Sequence, residues 1–149
     1  MRKELLRYLV CPSCKGMLAV VATLTEGVDI IDGTLTCQVC VKSYPIMRGI
    51  PRMLPDFIPD DSRKTSSAFG WEWQRFRVLH GPGVYEQQLL DWIEPLQRDV
   101  FHNKVVLDAG CGMGRFAAVA GRFGARDVIA IDLSDAVEAA RENTSTDAN

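Results

Sequence analysis

Histidine is scarce, with two residues in a chain of 149, and no apolar run approaches the roughly 18 residues needed to cross a bilayer. A membrane span is therefore excluded on length. His80 stands alone beside Gly81-Pro82-Gly83, a hinge-like turn, and reads as a surface or packing residue rather than a catalyst. Charge of either sign is not in excess. A net charge of −2 argues neither for nor against a nucleic-acid partner. No secretory leader is legible at the start: the apolar stretch in Met1–Cys11 is broken by Arg7 and halted by Pro12, and no small residues prepare a cleavage site. The stretch reads as a short amphipathic helix, and a cytoplasmic location follows as an expectation. With 47% apolar residues the chain has material for a core, and its length suits one or two domains.

Cysteine is also sparse, but its spacing is informative. Cys11-Pro12-Ser13-Cys14 and Cys37-Gln38-Val39-Cys40 are two Cys-x-x-Cys turns separated by 22 residues. Each turn offers two sulfurs, and four thiolates in two knuckles suit tetrahedral zinc. Redox dithiols or disulfides are the competing readings; the lack of a secretory signal favours zinc on Cys11, Cys14, Cys37 and Cys40. The flanks read as strands. Met17 to Thr25 alternates loosely, and Ile30 to Thr36 reads as strand and turn. A zinc ribbon over residues 1–56 has little core of its own, so metal would supply much of its stability.

The ribbon continues through Tyr44-Pro45-Ile46 and Gly49-Ile50-Pro51. These residues, with Leu9-Val10-Cys11-Pro12 and the second knuckle, resemble a known zinc-ribbon family: small activator proteins that bind and stabilise methyltransferases. The resemblance implies a non-catalytic platform. Whether the ribbon only folds the N-terminus or also recruits substrate stays open.

Residues 57–83 read as a linker with an aromatic segment. Pro55 to Ser67 carries acids, Pro59 and a Ser/Thr-rich end, and Phe69 to Phe76 packs four aromatics into eight residues. That segment reads as an amphipathic bridge between domains, as a wall over a ligand, or, with Arg75 and Arg77, as a surface that stacks on nucleobases. Val84 to Arg98 follows as a helix with Leu89, Leu90, Trp92, Ile93 and Leu96 on its apolar face, ended or kinked at Pro95.

The densest signal comes next. Val105-Val106-Leu107 is a β-branched run ending on Asp108, followed by Gly110, Gly112 and Gly114 at alternate positions and a helical stretch from Arg115. A buried strand, a glycine turn and a helix N-terminus build a small-molecule site at the carboxyl end of a parallel strand. Asp108 discriminates among ligands. It would repel a dinucleotide's pyrophosphate, whereas the sulfonium and ammonium of S-adenosylmethionine suit it. Arg115 also breaks the Gly-x-Gly-x-x-Gly spacing. The next apolar strand, Asp127 to Ile131, ends on Asp132, 18 residues after Gly114 and placed to accept bonds from ribose hydroxyls. Leu133 is positioned to cover an adenine face, and Ser134 and Asp135 suit a helix start. Cys111, inside the turn, reads as a small filler of the cofactor stretch rather than a fifth metal ligand.

Residues 104–141 resemble the opening of the class I S-adenosylmethionine-dependent methyltransferases. The resemblance implies an α/β, Rossmann-like fold over residues 84–149, with Asp108, Gly110, Cys111, Gly112, Gly114, Asp132 and Leu133 at the cofactor. It also implies further strands beyond the two legible here, so the fold reads as truncated, with one wall of the ligand crevice, an open sheet edge that invites self-association or a complementary chain, cofactor binding that is weak or absent, and no methyl transfer by these residues alone. The tail after Arg141 is polar and featureless. No catalytic residue is legible, and the methyl acceptor stays open among small molecule, nucleic acid and protein. Two functions follow as expectations: methyl transfer from S-adenosylmethionine, or a zinc-ribbon adaptor that binds a partner methyltransferase.

Overall fold

The computed structural model describes residues 1–78 and 82–145. His80 and the end of the polar tail lie outside the described residues. The chain is mixed α/β and divides into two compact units, Met1–Ile58 and Pro59–Asn149.

The first unit is an antiparallel sheet of four strands in sequence order: β1 (Leu18–Glu26), β2 (Asp29–Cys37), β3 (Ser43–Met47) and β4 (Ile50–Pro51). The register runs from Leu18 opposite Cys37 to Glu26 opposite Asp29, and Leu35 faces Tyr44 across the next pair. Alternation places Tyr44 and Ile46 inward on β3 and Leu35 and Cys37 inward on β2, and the register shift at Leu24/Thr25 brings Ile30 into the same core, which includes Met1 and Cys11. The N-terminal segment forms a 3-10 helix, Lys3–Tyr8, whose Leu5 and Leu6 pack against that core.

The second unit begins with a helix where the sequence suggests a linker: α1 spans Asp60–Arg75. Two acids in its first turn and Arg75 in its last complement the helix dipole, and packing supplies the rest. Gly70 is buried against the stretch after β6, where a Cβ would meet Ser134 Cβ at 3.1 Å. Helix α2 spans Pro82–Ile93, shorter than the helix expected to Arg98, and a 3-10 turn forms at Arg98–Phe101. Strand β5 (Val105–Ala109), α3 (Arg115–Arg122), β6 (Asp127–Ile131) and α4 (Ala136–Thr144) complete the unit. β5 and β6 pair in parallel, Val105 beside Asp127 through Ala109 beside Ile131. α1 lies against α4, and α2 against α3.

The core of this unit is Tyr85, Met113, Val119 and Ala139, with Trp73, Leu89, Phe116 and Phe123 packed on it. Alanines at 117, 118, 120, 136, 139 and 140 are buried and let α3 and α4 approach closely. One face of β5 lies open: Val105, Leu107 and Ala109 are exposed, and so is Ile131 on β6. No helix among the described residues is long and apolar enough to cross a membrane.

Leu35 is fully buried, whereas Val28 in the β1–β2 turn is 81% exposed. Leu35→Ala is expected to cost the first unit about 2–5 kcal/mol, while Val28→Ala stays within about 0.5 kcal/mol. Urea unfolding followed by far-ultraviolet circular dichroism reads both; equal losses would mean that the ribbon has no packed core.

Candidate functional site

The first cluster forms where β2 ends and where the 3-10 helix hands over to β1. The two cysteine turns repeat one backbone pattern. The Lys15 N–H donates to the Cys11 carbonyl at 2.9 Å and the Val41 N–H to the Cys37 carbonyl at 3.1 Å. Lys15 and Val41 both take the left-handed conformation, at φ 63° and 61°. For β-branched Val41 that is strained, so the knuckle holds it there. The Val39 and Cys40 N–H groups point at Cys37 Sγ, both at 3.4 Å. The result brings together all four cysteines singled out by spacing: their sulfurs lie within 4.8 Å of one another, with Cys11–Cys40 at 3.6 Å and Cys14–Cys37 at 3.4 Å. A tetrahedron of 2.3 Å zinc–sulfur bonds has edges of about 3.8 Å, so the cluster is compatible with zinc.

The thiols do not ionise alike. A hydrogen bond with the Tyr44 hydroxyl, 3.2 Å from Cys11 Sγ, lowers Cys11 to about 6. The Cys40 N–H lowers Cys37. The Lys42 N–H favours the Cys40 thiolate, but burial and the neighbouring thiols outweigh it and push Cys40 up to about 12. Crowded sulfurs cannot all shed protons unless a cation balances them. Outside the sulfurs, Lys42 pairs with Asp56 and donates to Ser13 Oγ at 2.9 Å.

The second cluster is a cleft of about 270 Å³ in the second unit. Asp108 to Met113 form its floor, Arg115 and Phe116 of α3 one side, and Trp73 of α1 with Trp92 of α2 the aromatic wall. The wall reading of the aromatic segment therefore describes Trp73, on α1, and Trp92 joins it from α2. Gly110 and Gly112 in the floor, and Gly114 just after it, are left-handed, at φ 84°, 53° and 82°. These angles suit glycine; the space over Gly110 is open, whereas the Trp73 indole lies over Gly112, its Nε1 3.1 Å from where a Cβ would stand.

The turn is tied at both ends. The Gly110 and Cys111 N–H groups donate to the Ile131 carbonyl at 2.8 and 3.0 Å. The Gly112 N–H donates to Asp132 Oδ2 at 2.8 Å, while the Ser134 N–H and hydroxyl donate to Asp132 Oδ1 at 2.8 and 2.7 Å. Asp132 thus organises the turn and keeps one free acceptor position on Oδ2. The Ala136 N–H caps on Ser134 Oγ at 3.2 Å, and Asp135 makes no side-chain cap. Asp132, Leu133 and Gly114 do not line the cleft; a Cβ on Gly114 would lie 3.0 Å from Ala140 Cβ, so that glycine serves the approach of α4.

Asp108 differs from Asp132. Its Oδ2 is buried and accepts no hydrogen bond among the described residues. Burial, with the charge of Asp132 adding to it, raises its carboxyl above the usual range. A buried orphan carboxylate oxygen near the open backbone of Gly110 fits a ligand that brings a donor or a positive charge. Cys111 is buried, pushed up to about 12 chiefly by that burial, and is a filler by geometry.

Sequence reasoning missed Arg115, Phe116 and Asn143. Asn143, in the tail read as featureless, donates to the Met113 carbonyl at 2.9 Å and the Arg77 carbonyl at 2.8 Å, and Glu142 pairs with Arg77 at 2.9 Å. Only the arginine directly after the glycines offered a sequence signal.

Comparison with known proteins finds two families in different parts of the chain. The Trm112p-like protein family matches residues 2–49, and the ribosomal protein L11 methyltransferase (PrmA) family residues 87–148. A UPF0434 protein of Methylobacillus flagellatus is 43% identical over 56 residues, 38% of this chain and 80% of that one. Protein arginine N-methyltransferase 1 of Saccharomyces cerevisiae is 37% identical over 68 residues, 40% of this chain and 20% of that one. The chain spans about a fifth of the length of the methyltransferase relatives it matches. The Haloferax volcanii Trm112 methyltransferase activator, solved in a complex, shares 36% identity over 37% of this chain and 93% of its own, with a TM-score of 0.36.

The Asp108 carboxyl is raised in the folded state, so the native protein holds its proton longer than the unfolded chain does. The cost of ionising it is absent below the ordinary carboxylate range and present in full at neutral pH. Asp108→Asn is therefore expected to raise the urea midpoint of the second unit at pH 7, with a gain that shrinks toward pH 4. All three tryptophans lie in this unit, so their fluorescence follows it; a lower midpoint at pH 7 would mean that the carboxylate stabilises the ligand-free protein.

Proposed function

We propose, from a first unit that matches the Trm112p-like family and a second with a class I methyltransferase-like region, that the second unit binds S-adenosylmethionine for methyl transfer and that the first is a zinc ribbon serving it. The observation that carries the reading is the orphan Oδ2 of Asp108, buried at the glycine turn. S-adenosylmethionine supplies, when bound, a methyl group activated on a sulfonium, together with the ammonium that such a carboxylate would hold. The free acceptor position on Asp132 is offered to a ribose hydroxyl, and Leu133, just beyond it, to the adenine. The glycine turn permits close approach of the ligand to the main chain, with Cys111 filling behind it. Trp73 and Trp92 form the wall beside which the reacting end would lie. The protein's share of the reaction is then positioning. The methyl acceptor and any proton-transferring residue are left unassigned.

Zinc on Cys11, Cys14, Cys37 and Cys40 would fix the two knuckles and hold the ribbon folded. The match of the ribbon to the Trm112p-like family supports a second reading, in which the chain is a non-catalytic adaptor for a separate methyltransferase and the glycine turn is structural. Cofactor binding by the chain separates the two.

Titration calorimetry with S-adenosylmethionine is expected to show binding that Asp132→Ala weakens about tenfold, the loss of a charge-assisted bond. Absence of binding in the unaltered chain would favour the adaptor. Metal analysis of protein purified without added zinc is expected to give close to one equivalent. Cys14→Ser should abolish it and unfold the first unit, whereas Cys111→Ser should leave it; disulfides among these cysteines in place of metal would refute the zinc assignment.

A further inference from the structure

We propose that Arg115 docks the carboxylate of the cofactor's amino-acid end, so that the cleft recognises an α-amino-acid zwitterion through two opposite charges; the inference rests on the cofactor reading given above. Arg115 is the first residue of α3 and lines the cleft. Its guanidinium lies 4.6 Å from the ring centroid of Phe116, 5.8 Å from those of Trp73 and Trp92, and 5.9 Å from that of Tyr85. Rings from α1, α2 and α3 therefore hold the cation in place, and they accept none of its N–H groups in ordinary hydrogen bonds. Among the described residues no carboxylate, carbonyl or hydroxyl takes up its five donors, which form a planar fork matched to a carboxylate.

Asp108 lines the same cleft, and its buried Oδ2 is also without a partner. An acid and a base thus share one small space without bonding each other. A ligand end that carries an ammonium and a carboxylate on one carbon satisfies both, the ammonium at Asp108 and the carboxylate at the Arg115 fork. A purely cationic ligand would leave Arg115 unanswered, and a dinucleotide would leave Asp108 facing a like charge. The aromatic box restricts the rotamers of Arg115 before the ligand arrives, which lowers the ordering cost of binding.

The test compares two ligands on the full chain by calorimetry. S-adenosylhomocysteine carries the amino-acid end; 5′-methylthioadenosine keeps the adenosine and the sulfur but lacks it. Arg115→Met is expected to weaken S-adenosylhomocysteine about tenfold or more while 5′-methylthioadenosine changes less than about twofold. Arg115→Lys, which keeps the charge without the fork, should fall between. Where Arg115→Met disturbs the aromatic cluster, as tryptophan fluorescence reports, Arg115→Lys carries the same comparison. Equal weakening of both ligands, or an unchanged affinity for S-adenosylhomocysteine, overturns the assignment. If the unaltered chain binds the two ligands equally, Arg115 has been misassigned while the cofactor reading stands. If it binds neither, the cofactor reading falls and the inference with it.

Discussion

Each unit confines acidic groups that repel one another once ionised, and the surrounding structure is arranged around that repulsion. In the first unit four thiols lie within 4.8 Å of one another. The Tyr44 hydroxyl and the N–H groups of the second knuckle favour the charge on Cys11 and Cys37, and the burden then falls on Cys40, which is held protonated. In the second unit Asp132 receives three protein donors while Asp108 keeps a buried oxygen with none. In both places the protein satisfies part of the negative charge and leaves a remainder that a cation would complete. A remainder of this kind costs stability in the ligand-free protein and is best explained by what it receives.

The parts legible in the sequence are those whose geometry is local. Two cysteines three positions apart can sit in one turn whatever surrounds them, and the symmetry of Lys15 and Val41 shows both knuckles built alike. Asp108 and the three glycines work within seven residues of one strand end, so their roles follow from the backbone alone. The aromatic wall is different. Trp73, Tyr85, Trp92 and Phe116 meet only because α1 and α2 pack beside α3, and nothing in the local pattern of Ser62 to Phe76 fixes that docking. The Ser/Thr-rich, charged run reads as linker because composition dominates short windows; Gly70, whose missing Cβ lets α1 lie on Ser134, decides the outcome through a contact 64 residues away. Asn143 was illegible for the same reason, since its partners, the Arg77 and Met113 carbonyls, are placed by tertiary packing.

Packing in the second unit explains why the cleft and the core cannot be separated. Its helices meet through alanines, which permit close approach but bury little area each. The larger apolar side chains are the aromatic ones, and Trp73, Trp92 and Phe116 spend part of their surface on the cleft. Trp92 meets Phe116 edge to face with centroids 5.2 Å apart, so the wall is also a joint between α2 and α3. Substituting one of these rings would change stability and ligand contact together. Arg115 and Asp108 are the better probes, because each is polar, lines the cleft and contributes little apolar area to the core. The exposed face of β5 and β6 points the same way. With Val105, Leu107 and Ile131 in solvent, apolar burial on that side contributes little, and the ties that hold the glycine turn to the end of β6 carry a correspondingly larger share of the order at the site.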